Sequence, residues 1–296
     1  MTGRDAPAAR PTRPPELQDW LNLHIYHPLA WRLALALRPT GLSPNAVSVV
    51  GALLVWGAAW AYAGLDWPTS ALLGFTLHAL WHVVDGADGD LARLTGKSSP
   101  TGELVDGVCD YSAHAVLYIV LAAILDDEIG GWAWLLSALA AASHIVQNNH
   151  AETQRRTYLW WVYGVPWLKH AQAAGDEVFQ KGNWFSRTFG WMAREYIRLS
   201  QSMSPDARRI DDALAAAAAN PAETGRMRGL VKAGSATALA YEKLLGSNPR
   251  TIVLGISMLL GSPLWFFLAE LLPMNLLLAF SVRHHNASNR RLARQM

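Results

Sequence analysis

Five long stretches of this chain carry almost no charge, and they limit its fold more than any other feature. Residues 46–64, 67–84, 111–125 and 129–151 contain no Asp, Glu, Lys or Arg, and residues 251–282 contain only Glu270. Apolar runs of this length read as membrane-spanning helices. The run 251–282 is too long for one span. Gly261-Ser262-Pro263 divides it into a helical hairpin, because Gly and Pro both interrupt a helix. An alternative turn at Glu270-Leu271-Leu272-Pro273 leaves the sixth span short. With only 16% charged residues, the chain reads as an all-α integral membrane protein with six transmembrane helices, not as a soluble one.

The basic residues orient it. All 25 Lys and Arg residues fall in positions 1–45, in the connection holding Arg93 and Lys97, in positions 155–250, or after Val282. The opposite connections hold Asp66, Asp126, Asp127 and Glu128 and no basic residue. The positive-inside rule therefore puts both termini on the cytoplasmic side. The net charge of +2 hides this asymmetry, which points to anionic lipid headgroups as partners. No nucleic-acid motif is present.

Five regions follow. Residues 1–15, rich in Arg, Pro and Ala, read as disordered, with no signal peptide. Residues 16–157 hold a juxtamembrane N-terminal helix and spans 1–4, with Trp20, Tyr26 and Trp31 at headgroup depth. Residues 158–248 form a long cytoplasmic connection between the fourth and fifth spans, 249–284 hold spans 5 and 6, and 285–296 are a basic tail. In the long connection Phe189, Met192, Tyr196, Leu199 and Met203 recur at helical spacing, with Arg187, Arg194 and Arg198 between them. That pattern suits the inner leaflet or packing on the protein itself. Residues 206–219, with their cap at Ser204-Pro205, read as an Ala-rich helix ending at Asn220-Pro221, and 227–245 as a further helix. A connection this long is expected to be functional or disordered, and it borders the charged side.

Chemistry concentrates between the second and third spans. Asp85-Gly86-Ala87-Asp88-Gly89-Asp90-Leu91-Ala92-Arg93 is followed after eight residues by Gly102-Glu103-Leu104-Val105-Asp106-Gly107-Val108-Cys109-Asp110. Ionisable groups next to hydrocarbon are costly and mark a functional site. Asp85 and Asp88 share one helical face, as do Asp106 and Asp110. A short turn brings the pairs together, and four carboxylates in one place repel unless cations neutralise them. Hard oxygen donors suit Mg²⁺ or Mn²⁺, and their number suits a two-metal site.

This stretch resembles the CDP-alcohol phosphotransferase (CDP-alcohol phosphatidyltransferase) family, whose pattern is D-x-x-D-G-x-x-A-R, about eight residues, then G-x-x-x-D-x-x-x-D. Asp85, Asp88, Gly89, Ala92, Arg93, Gly102, Asp106 and Asp110 fill every fixed position. The resemblance implies a membrane phosphotransferase of phospholipid biosynthesis. It would move a substituted phosphate from a CDP-alcohol to a hydroxyl acceptor and release CMP. Asp85, Asp88, Asp106 and Asp110 would hold the metal, and Asp110 would also be the general base. Gly89 and Ala92 would let the backbone approach the cytidine phosphate, and Arg93 would fork onto phosphate. Many members carry P-N-x-x-T before the first span, with polar groups near the CDP moiety. Here Pro44, Asn45 and Ser48 stand there, and a plain helix cap is the other reading. Homodimers are common in the family.

Other residues have bland readings. Cys109 reads as a packing residue, Asp90 occupies a variable position, and Ser98 and Ser99 read as turn residues. The polar end of the fourth span, from His144 to Glu152, fits interhelical hydrogen bonding. Family members with a phosphorylated acceptor usually carry Lys or Arg before an Ala-Glu pair at this helix end, whereas this chain has Asn148 and His150. Arg155 and Arg156 follow one turn on. The departure weakens the case for an anionic acceptor, for which Arg155 and Arg156 would have to compensate, and the expected acceptor is a lipid or a small polar alcohol. A divalent-metal transporter and an inactive scaffold are the competing functions. Carboxylates at one interface do not line a path through the bilayer, and the complete aspartate set argues against a dead enzyme.

Overall fold

The computed structural model describes residues 13–175 and 184–296. Residues 1–12 of the expected disordered segment, and the Arg187 and Phe189 side chains of the amphipathic pattern, lie outside the described residues. Residues 13–15, counted above with that segment, are tied to the fold through Arg13 and a short 3₁₀ turn over Pro15–Leu17.

Thirteen α-helices and no strand occur among the described residues: α1 (His27–Leu37), α2 (Pro44–Gly64), α3 (Thr69–Thr95), α4 (Pro100–Ile129), α5 (Trp132–Tyr163), α6 (Leu168–Ala173), α7 (Trp184–Met203), α8 (Ala207–Ala217), α9 (Pro221–Gly234), α10 (Ala236–Leu244), α11 (Ser247–Leu259), α12 (Leu264–Leu271) and α13 (Pro273–Ala293). Local chemistry sets several boundaries. Ser43 and Ser99 cap α2 and α4 by accepting Ala46 N–H and Gly102 N–H. Each is followed by Pro at the first helical position, where its missing N–H costs nothing. Gly96 ends α3 at φ 66° and Gly261 turns the chain after α11 at φ 88°, a backbone region that glycine enters without strain. The hairpin break is therefore at residues 260–263. The Glu270–Pro273 alternative is only an interruption, since Leu276 N–H still reaches the Leu272 carbonyl.

Among the described residues, three helices are long and apolar enough to cross a membrane: Pro44–Gly64, Pro100–Ile129 and Leu264–Ala293, the last joining α12 and α13. α3 and α5 are as long but carry polar groups on their inner faces. α2, α3, α4, α5, α11 and α12 share one core that includes Val55, Tyr62, Leu117, Leu121, Leu254 and Phe267. In lipid the drive to associate is close packing more than the hydrophobic effect, so small residues line the contacts. A Cβ at Gly74 would lie 2.4 Å from the Tyr62 ring, and one at Gly255 2.4 Å from Phe75. Those glycines let α3 meet α2 and α11. Trp67 Nε1–H donates to the Leu259 carbonyl and the Ser262 hydroxyl to Glu128. The three connections poor in basic residues thus gather at one end.

At the other end α1 packs on α2 and α3 through Ala30, Ala34, Val47, Ala87 and Leu91. The long connection packs back on the molecule. Ile210, Leu214, Met227 and Val231 join Trp161 of α5 and Leu292 of α13. Ala193 and Ile197 of α7 pack with Leu104, Trp167 and Leu168. The buried stripe of α7 is Ala193, Ile197 and Ser200, one position off the Met192, Tyr196 and Leu199 series read from the sequence. The expected helix over 227–245 is two, α9 and α10, parted at Ser235, and Asn220 both follows α8 and caps α9.

Candidate active site

α3 continues for three turns past its apolar part. The short turn after it reverses the chain into α4, and α2 packs on both helices. This brings Asp85 and Asp88 opposite Asp106, with one carboxylate oxygen from each lying within 4.8 Å of the others. Ionised carboxylates at that separation repel by about 3–4 kcal/mol per pair at an effective dielectric near 20. The Oδ1 atom of Asp106 is buried with no hydrogen-bond donor, although buried polar atoms normally find one. Converging hard oxygens, one of them unsatisfied, fit Mg²⁺ or Mn²⁺. Asp110 stands outside this group of three. It adjoins Asp85 and accepts from Trp81 Nε1–H at 3.3 Å.

The remaining predicted residues divide. The Ser48 hydroxyl, buried, donates to Asp88 Oδ2 at 2.6 Å. It is thus placed to orient the Asp88 carboxylate. Asn45 is exposed beside Gly102 at the start of α4. Gly89 and Arg93 line the cavity described next, whereas Ala92, half-buried, does not. Ser99 is the α4 cap, and Cys109 packs at the core edge, as the packing reading expects. Asp90, set aside as variable, is buried and accepts from both Arg13 at 2.7 Å and Arg93 at 2.6 Å.

A cavity of about 690 Å³ opens onto the aspartates. Its walls include residues 13–22, the starts of α4 and α11, and from the long connection Trp167, Leu168, Met192, Ala193, Tyr196, Glu242 and Lys243. The connection is therefore part of the site. Burial holds the Glu242 carboxyl well above its usual range against the pull of Arg155. Beyond Asp110 the cavity reaches His82, His114 and His144. His114 lies one turn past Asp110 and shares its Nδ1 with the Asp110 carbonyl at 2.8 Å. Sequence reasoning did not single out His82 or His114, and read His144 only as part of the polar end of the fourth span. The signal was there, since His114 continues the Asp106–Asp110 face at i+4 spacing.

The polar end of α5 mostly bonds between helices, as expected. Gln147 amide nitrogen reaches the Glu270 carbonyl and Asn275, its oxygen accepts from Arg250, and His150 meets Ser281. Asn148 instead faces the cavity. Arg155 and Arg156 are both held by Glu152, and Arg156 also reaches Glu103 at 3.1 Å.

Residues 42–162, from the α2 cap to the end of α5, match the family described as CDP-alcohol phosphatidyltransferase. The chain is 33% identical over 104 residues to an uncharacterised class-I member of that family from Dictyostelium discoideum, covering 32% of this chain and 25% of that protein. It is 32% identical over 117 residues to human ethanolaminephosphotransferase 1, covering 34% and 28%. It is 40% identical over 84 residues to the bifunctional IPC transferase and DIPP synthase of Rubrobacter xylanophilus, covering 28% and 18%. The chain thus spans less than a third of the length of these relatives. No solved structure matches it. The matched stretch contains all eight fixed positions of the aspartate motif and the helices that bring them together, so it is residues 42–162 that are similar to the CDP-alcohol phosphatidyltransferase family.

Proposed function

We propose that this chain transfers a substituted phosphate from a CDP-alcohol, either CDP-diacylglycerol or a CDP-aminoalcohol, to a hydroxyl acceptor in phospholipid synthesis. The observation that carries the reading is the convergence of Asp85, Asp88 and Asp106 within 4.8 Å at the wall of a cavity large enough for a nucleotide. Asp85, Asp88 and Asp106 would hold divalent metal, which supplies charge neutralisation for the diphosphate and the departing CMP. Arg93 binds phosphate from the adjacent turn. The acceptor oxygen attacks the phosphorus that bears the alcohol. The bond from that phosphorus to the bridging oxygen breaks, and CMP leaves with the electron pair. The acceptor proton passes to Asp110, which stands beside the metal-binding group. Residues 13–22 and α7 form walls of the cavity beside the aspartates.

The acceptor is an uncharged alcohol in this reading. Arg155 and Arg156, the cations nearest the polar end of α5, are already neutralised by Glu152 and Glu103. The cavity end beyond Asp110 offers imidazoles and the Asn148 amide, which suit a hydroxyl. A purified full-length chain given labelled CDP-diacylglycerol, CDP-choline, CDP-ethanolamine and CDP-inositol in turn, with Mg²⁺, should release CMP from one donor class. CMP release from none of the four would remove the proposal.

The chain is further proposed to span the membrane six times, with α12 and α13 together forming the sixth span. α3, α5 and α11 present Leu72, Leu80, Leu135, Leu139, Ile252 and Ile256 outward, an apolar surface suited to lipid. Both termini and the aspartates then face the cytoplasm. A reporter fused after Met296 should be cytoplasmic, and one inserted at residues 126–130 should lie outside. An external C-terminal reporter would exclude an even number of spans.

A further inference from the structure

Asp90 is the buried carboxylate that the proposed chemistry does not use. Its side chain is 3% exposed, and Oδ1 accepts from Nη2 of Arg93 at 2.6 Å and of Arg13 at 2.7 Å. Arg93 arrives from the next turn of α3. Arg13 arrives from 77 positions away in the chain, and the same nitrogen also donates to the Gly86 carbonyl at 3.1 Å. Gly86 and Gly89, one turn apart, border the two guanidinium groups. A Cβ at Gly86 would stand 3.8 Å from Arg13 Nη1, and one at Gly89 3.4 Å from Arg93 Nη2. These are ordinary contact distances, and the tight approach at Gly86 is instead to Ala30 of α1, whose Cβ would lie 3.0 Å away.

Two cations share one anion, so the cluster keeps one net positive charge. Arg13, Gly86, Gly89 and Arg93 all line the same cavity as Asp85, Asp88 and Asp106. Each guanidinium spends only Nη2 on Asp90, which leaves N–H donors in a planar fork for a further oxygen anion. A ligand that satisfies both sides must reach a metal with one anionic group and an arginine pair with the next. A diphosphate does this.

We infer that Arg13 is a second phosphate-binding residue for the diphosphate of the donor, delivered by the segment that precedes α1, and that Asp90 is the positioning residue that holds Arg13 and Arg93 side by side. The inference rests on the donor reading above. Asp90 sits in a position that the family pattern leaves free, so this clamp is a property of this chain's own residues.

Titration of the purified full-length protein with CDP in Mg²⁺, followed by calorimetry, tests it. Arg13→Ala should weaken CDP binding about ten-fold, the scale of one charged hydrogen-bonding contact. Arg13→Lys should recover part of that affinity. Asp90→Asn should weaken CDP to a similar extent, and the double variant should be little worse than either single, because both act through one cluster. Mn²⁺ binding without nucleotide should match wild type in all of them. If Arg13 is only a tether for the N-terminal segment, Arg13→Ala lowers the melting temperature and leaves CDP affinity at the wild-type value, which overturns the inference. So does Arg13→Lys binding CDP no better than Arg13→Ala. A wild type that binds CDP but releases CMP from no CDP-alcohol would sink the transferase reading alone, and the loss in Arg13→Ala would still support the clamp.

Discussion

Asp106→Asn should reduce CMP release to background while the protein still folds. Of the three converging carboxylates, Asp106 is the one with a buried oxygen that no donor satisfies, so it has the most to give to a metal. The amide keeps the shape but loses the charge and one acceptor. Asp85→Asn and Asp88→Asn should act in the same direction. EDTA should abolish activity in the wild type, and Mg²⁺ or Mn²⁺ should restore it. Ser48→Ala offers a graded comparison. Its hydroxyl orients Asp88, and removing such a support typically costs 10–100-fold in metal affinity or activity. Mn²⁺ binding by calorimetry should therefore rank wild type above Ser48→Ala, and Ser48→Ala above Asp106→Asn. Full activity in EDTA would remove the metal site and the mechanism with it.

For Asp110→Asn the expected loss is in turnover, by roughly the 10²–10⁴-fold typical of removing a general base, with CDP affinity at fixed Mg²⁺ largely kept. The sequence alone allowed Asp110 to be ligand and base at once. In the structure its carboxylate lies against Asp85 and Trp81 at the edge of the group of three, a position compatible with either role, so the two affinities decide between them. Parallel losses of Mn²⁺ and CDP affinity in Asp110→Asn would make it a ligand instead. Wild-type turnover would leave it with neither role.

The legible parts of this protein were those set by neighbours in the chain. The start of α2 could be read as a cap because a cap acts on an N–H three residues away, whereas Ser99, read only as a turn residue, turned out to cap α4. The turn at Gly261 could be read because only glycine enters its backbone region freely. The aspartate motif was legible for the same reason, since i+3 and i+4 spacing fixes which carboxylates share a helical face. α7 shows where such reading slips. The apolar series read there, for the inner leaflet or for packing on the protein, lies one position from the buried stripe of Ala193, Ile197 and Ser200. The covering face is set by Leu104, Trp167 and Leu168, which the α7 pattern does not contain.

By itself, the sequence determined an all-helical membrane chain with carboxylates gathered at one end of two helices, because hydrophobic run length and helical periodicity are local quantities. Only the tertiary structure decided which polar groups meet. Asp90 looked like a spare carboxylate until Arg13 arrived from outside the motif. Glu270 looked like a lone charge in an apolar run until Arg250 met it at 3.1 Å. Arg155 and Arg156 looked free to bind an anion until Glu152 and Glu103 turned to them. Placing a charge near a membrane is a question of composition. Whether that charge is available to a substrate depends on what lies within a few ångströms, because inside a low-dielectric site a close partner outweighs everything farther away.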